Sequence, residues 1–238
     1  MLYFNNTYTY IGDRVFKYKI YMVIMFILSL FMVQKVYSYY IELPLLGKVI
    51  YIDPGHGGVD PGANYKDVLE KDINLEISKH TRDLLMEKGA IVYLTREDDY
   101  DLAVPHAYLR KRSDLSRRVS LINKSDSDIY LSIHLNATSS SNWRGAQVFY
   151  DNINDNNIIL GKKIEESFIK YLGTKRKIKE INDLYMYKAI KVTGVLLEVG
   201  FISNANERYL LKKEYYQKKI ALSITEGVLN YFKEIKKD

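Results

Sequence analysis

Two of the chain's four histidines stand where short apolar runs end. His56 lies in Asp53-Pro54-Gly55-His56-Gly57-Gly58, and His134 in Ser132-Ile133-His134-Leu135-Asn136. Glycines on both sides let the backbone turn tightly and leave the His56 ring uncovered. Imidazole is the commonest metal ligand. The chain has no Cys, so any metal must be held by nitrogen and oxygen. A catalytic zinc takes three protein ligands and keeps a fourth position for water, and two His with one carboxylate is a standard set. Three carboxylates compete for the third place: Glu70, which opens a helical pattern, and Asp60 and Asp67 on the preceding loop. For Glu70 the plainer reading is a negative charge suited to a helix N-terminus. Glu198 interrupts the apolar run Gly194-Val-Leu-Leu-Glu198-Val-Gly-Phe. A carboxylate buried there is costly unless paired. Beside a metal it suits a general base for water; otherwise it implies a hidden Lys or Arg. His80, inside a helix, and His106, in a loop, lack the strand-end setting and read as ordinary.

Other chemistries drop out. There is no H-E-x-x-H helix, no G-x-S-x-G elbow and no G-K-[ST] after the glycines. Asp60 stands where the third glycine of a dinucleotide fingerprint should fall. The run from Arg110 to Arg118 holds five cations in nine residues, read as mostly a solvated helix face. The net charge is +6, and about half of it sits in residues 1–41. The remaining excess is too small to point to nucleic acid and suits a carboxylate-rich partner such as a bacterial wall.

The elements that must position these side chains alternate. Strands are expected over 48–53, 90–94, 128–133, 146–150, 184–187 and 195–199, and helices over 70–88, 109–124, 155–172, 207–213 and 216–235. Short apolar strands between amphipathic helices predict a single α/β domain, a mostly parallel sheet with helices on both faces. Such sheets place their sites beyond the carboxyl ends of the strands, where His56, His134 and Glu198 fall.

Ahead of that domain, residues 20–33 form an uncharged apolar run of fourteen, preceded by Arg14, Lys17 and Lys19. That is the grammar of a secretory signal. Val36-Tyr37-Ser38 offers small residues for cleavage. If uncleaved, about 22 residues suffice to span the hydrocarbon core as an anchor. Either way the positive flank stays cytoplasmic and the rest is exported. The expected division is residues 1–41 as signal or anchor, 42–47 as a joint and 48–238 as the catalytic domain.

Taken in order, Ile52-Asp-Pro-Gly-His-Gly-Gly58 with Asp60 and Gly62-Ala63, Glu70-Lys-Asp-Ile-Asn-Leu75, Leu94-Thr-Arg96, Ser132-Ile-His-Leu-Asn-Ala137 and Glu198-Val-Gly-Phe-Ile-Ser-Asn204 resemble the zinc-dependent N-acetylmuramoyl-L-alanine amidases of bacterial cell walls. The resemblance spans nearly the whole exported domain. It implies one zinc held by His56, Glu70 and His134, with Glu198 as the catalytic carboxylate, and peptidoglycan as substrate. Asn136 is read as orienting substrate or a ligand. A bare catalytic domain behind an apolar segment is similar to the germination-specific branch of spore-forming bacteria. That branch strips stem peptides from cortex muramic acid as a step toward muramic-δ-lactam. Its setting would be outside the cytoplasmic membrane, with the forespore intermembrane space one such location. A wall hydrolase also implies a regulatory or accessory protein. The competing classes are an exported scaffold that kept the fold without catalysis and a zinc hydrolase acting on another wall bond.

Overall fold

The computed structural model describes residues 5–41, 43–181 and 185–236. It divides into two units, Met1–Pro44 and Leu45–Asp238. The first consists of α1 (Asn5–Ile41), within which Val15–Ser38 is long and apolar enough to cross a membrane. Its side chains over that stretch are exposed.

The second unit runs β1 (Val49–Pro54), β2 (Asn64–Tyr65), β3 (Val68–Leu69), α2 (Glu70–Glu87), β4 (Ile91–Leu94), α3 (Arg110–Lys124), β5 (Ile129–Asn136), β6 (Gln147–Tyr150), α4 (Asp155–Leu172), β7 (Lys179–Glu180), α5 (Tyr185–Ala189), β8 (Gly194–Phe201), α6 (Ala205–Leu211) and α7 (Glu214–Glu234). Six strands form one sheet in the order β4-β1-β5-β8-β6-β7. All neighbours are parallel except β6 against β8. β2 and β3 make a separate antiparallel pair.

Side chains alternate across a strand, and the sheet has an apolar layer on each face. Ile50, Ile52, Leu131, Ile133, Val195 and Leu197 pack with Ile73 and Ile77 of α2, Ile164 and Phe168 of α4, and Ile220 and Ile224 of α7. The intervening Tyr51, Tyr130 and Leu196 pack with Val119 and Ile122 of α3 and Met186 and Tyr187 of α5. The mostly parallel sheet with helices on both faces is therefore as the sequence implies.

Three local readings change. Tyr185 to Tyr187, expected in a strand, begin the short helix α5, which turns Met186, Tyr187 and Ile190 into one cluster; Leu184 lies outside the described residues. Four consecutive apolar residues cannot separate a strand from one helical turn. Ala205 starts α6 two residues early because Asn204 caps it, accepting from the Asn206 and Glu207 N–H groups. Leu45, expected in the joint, is fully buried, and its N–H donates to Lys88 O at 3.0 Å. It belongs to the domain.

Candidate metal centre

His56 stands just beyond β1. It adopts a left-handed backbone, φ 63°, which is uncommon for a residue with a Cβ. Cations on three elements hold the loop. Arg118 of α3 donates to Pro54 O at 2.9 Å and His56 O at 2.6 Å. Arg96, just past β4, donates to Pro54 O at 3.1 Å and Gly55 O at 3.0 Å. Lys71 of α2 donates to Gly58 O at 2.9 Å. Both arginines are about 1% exposed. Arg118 therefore departs from the solvated face expected of the basic run. It lies inward with Leu115, Val119 and Ile122, paired to Asp114 at 2.9 Å and Asp53 at 2.7 Å. Burial alone would raise the Asp53 pKa, but Arg118 and the Thr95 hydroxyl hold the carboxyl below its usual range.

His134 and Glu198 are register partners on the parallel strands β5 and β8, so their side chains leave the same face of the sheet. Glu70 reaches them from the first turn of α2. Its Oε1 lies 3.0 Å from His134 Nδ1 and 3.2 Å from His56 Nε2, and it accepts from Leu135 N–H at 3.0 Å. Its Oε2 accepts from Ala63 N–H at 2.7 Å. Burial would push Glu70 up, yet hydrogen bonds from His134 and His56 hold it far below the carboxylate range. His56 is opposed by burial and raised by Glu70, then by Asp60.

Two glycines make room. A Cβ on Gly55 would collide with the His134 ring, and one on Gly62, at φ +67°, would meet Glu70 Oε2 and the His56 ring.

One donor atom from each of His56, Glu70 and His134 lies within 4.8 Å of the others. Two imidazoles and a carboxylate suit a divalent transition metal. Of the rival carboxylates, Asp60 faces the other side of His56, its Oδ2 3.0 Å from Nδ1; this is the outer contact that fixes a ligating ring's tautomer and orientation. Asp67 is turned outward, 3.2 Å from Lys212. Glu198 stands next to this group as the register partner of His134. Its Oε2 is buried without a hydrogen-bond partner, and burial pushes its carboxyl up to about 7. The hidden Lys or Arg that would make it a structural ion pair is not present among the described residues. An orphaned buried oxygen beside three convergent donors is what a cation and a reacting water would satisfy.

Asn136 closes β5 opposite Phe201; its carbonyl accepts from Ile202 N–H at 2.9 Å. His80 and His106 lie outside the group. Sequence reasoning missed the supporting roles of Arg118, Arg96 and Lys71 and weighed Asp60 only as a rival ligand. The i, i+4 pair of Asp114 and Arg118 on the apolar side of α3 was the available signal.

The model of the family described as N-acetylmuramoyl-L-alanine amidase matches residues 50–230. The germination-specific N-acetylmuramoyl-L-alanine amidase of Bacillus subtilis (strain 168) is 47% identical over 197 residues, 81% of this chain and 83% of that one. Among solved structures, the CwlD amidase from Clostridioides difficile, in complex with the GerS lipoprotein, superposes with a TM-score of 0.76. It is 38% identical and is matched over 81% of this chain and 100% of its own. The catalytic domain of CwlV, an N-acetylmuramoyl-L-alanine amidase from Bacillus (Paenibacillus) polymyxa var. colistinus, gives 0.69 at 29% identity, covering 78% and 98%.

Proposed function

This chain belongs to the N-acetylmuramoyl-L-alanine amidase family, and from that premise we propose that it is a zinc enzyme that cuts the amide between muramic acid and L-alanine in spore-cortex peptidoglycan. The observation that carries the mechanism is the convergence of His56, Glu70 and His134 next to the unpartnered Glu198 Oε2. His56, Glu70 and His134 would hold the metal. Bound there, zinc supplies Lewis acidity, polarising the carbonyl and making water a nucleophile near neutral pH. Asp60 holds His56 in the tautomer that presents Nε2. Glu198 takes the proton of the attacking water and returns it to the departing alanine amine. Burial raises its pKa in the metal-free fold, and a positioned base of this kind contributes about 10²–10⁴ in rate. Asn136, at the rim of the same strand end, orients the substrate.

The cortex assignment, and with it the step toward muramic-δ-lactam, is supported by the likeness to the germination-specific relative. The apolar α1 supports export as a signal or an anchor. The structural neighbour's lipoprotein partner supports an accessory protein that governs this enzyme as well.

The test is incubation of the protein with purified peptidoglycan, with and without a zinc chelator, and mass spectrometry of what is released. Peptides beginning with a free alanine amine, abolished by chelation and restored by zinc, are expected. Fragments cut between stem residues or within the sugar would overturn the reading.

A further inference from the structure

The domain carries a second concavity with a chemistry different from that of the metal centre. A cleft of about 550 Å³ is lined by Trp143, Arg144, Gly145, Thr174, Lys175, Arg176 and Glu207, among others. One side chain links it to Glu198. Gln147 is the register partner of Glu198 across the antiparallel β6–β8 pair, where facing Cβ atoms are about 5 Å apart. The Gln147 side-chain oxygen accepts from Arg176 Nη1 at 2.8 Å. Two side-chain steps therefore lead from Glu198 to the guanidinium.

The balance of charge in the cleft is unusual. Its cations are Arg144, Lys175 and Arg176 and its carboxylate is Glu207. Glu207 is committed to the backbone, accepting from Gly145 N–H at 2.8 Å and Phe201 N–H at 2.7 Å. Arg144 and Lys175 are exposed, and no carboxylate pairs with them among the described residues. Arg176 is fixed without one. Its plane lies 4.5 Å from the Phe201 ring and 5.2 Å from Trp143, and its Nε donates to Arg144 O at 2.9 Å. Its Nη2 has no protein acceptor among the described residues. A guanidinium held by stacking with one edge unspent is preorganised for a carboxylate. Trp143, the single tryptophan of the chain, is 55% exposed and offers an apolar wall.

Resting on the amidase reading, we propose that this cleft is the subsite for the departing stem peptide, with Arg144, Lys175 and Arg176 pairing its carboxylates. The leaving amine must lie at Glu198, which protonates it. Carboxylates on the second and third residues of an extended peptide stand about 7–11 Å from its amine, the reach of two side-chain steps.

The experiment needs no turnover. The full chain in mild detergent is titrated calorimetrically, and by Trp143 fluorescence, with the dipeptide L-alanyl-D-glutamate and with its diamide. The free acid is expected to bind saturably, move the Trp143 emission and bind about tenfold or more tighter than the diamide. An Arg144→Gln/Lys175→Gln double variant, altered only at exposed positions, is expected to lose that preference and, in the release assay, to raise KM with kcat retained. No binding, equal binding of acid and diamide, or heat without a Trp143 response would overturn the subsite. Peptide release from peptidoglycan by the unaltered chain stands or falls separately, so the two failures are distinguishable.

Discussion

Glu198 owes its position to a conflict between its chemistry and its neighbours. The strand around it is apolar because β8 is central to the sheet and its flanking residues are buried; within that run Glu198 stands opposite His134, a member of the group that could hold a metal. Without a cation beside it, burial raises its pKa to about 7 from an ordinary 4.5. The folded chain then binds a proton more tightly than the unfolded one. Below the unfolded value both states are protonated and Glu198 costs nothing. As pH rises toward 7 the unfolded state ionises first, so stability falls, and above 7 the penalty is fully present. In chelated protein, Glu198→Gln is therefore expected to be no more stable than wild type at pH 4 and more stable at pH 8. Partial exposure of the residue keeps the difference on the order of 2 kcal/mol. Urea unfolding at a series of pH values reads it, and a difference independent of pH would remove Glu198 as its source. The same variant is expected to keep its zinc and lose about 10²–10⁴ in kcat.

At the scale of elements, the centre is held by how α3 and the segment after β4 grip the loop after β1. Asp53 accepts from Arg118, Thr95 and Ser132 at 2.7, 2.6 and 2.9 Å, tying β1 to its two neighbours at the level where His56 begins. Removing one partner of a buried ion pair costs about 3–5 kcal/mol because the other is stranded. Arg118→Met is expected to lose that much stability in denaturant. In the fraction that folds it should bind zinc about 10–100-fold more weakly, since the His56 carbonyl loses its donor. Unchanged zinc affinity in the folded variant would confine Arg118 to stability. These elements were unequally legible. His56 follows β1, His134 lies near the end of β5 and Glu198 interrupts β8, places their apolar runs cannot explain, so the three could be picked out directly. Arg118 was hidden among the cations of its own helix, since charge counting cannot say which one turns inward. The antiparallel setting of β6 was invisible too, because a four-residue strand looks the same in either direction.

Across the whole chain the division of labour is set by hydropathy. The Leu45–Asp238 unit buries its apolar side chains in two layers around one sheet. α1 exposes Phe16, Ile20, Met25, Phe26, Leu30, Phe31 and their neighbours, with none of its apolar window buried. An exposed apolar surface of that extent is unfavourable in water at roughly 25 cal/mol per Å², so α1 must find another apolar environment. The 24 residues of Val15–Ser38 rise about 36 Å at 1.5 Å each, enough for a hydrocarbon core of about 30 Å. Lys17 and Lys19 at the start of that stretch, with Arg14 before it, favour leaving that end in the cytoplasm. The full chain expressed in a bacterium is therefore expected in the membrane fraction, resistant to alkaline carbonate, with residues 45–238 accessible to protease only from the exoplasmic side. A piece beginning at Leu45 should be soluble and unfold at the same urea concentration as the domain in the intact chain, because the core is assembled from that unit's own elements. Recovery of the mature domain free of α1 would show the segment acting as a cleaved signal, and protease access from the cytoplasmic side would overturn export itself.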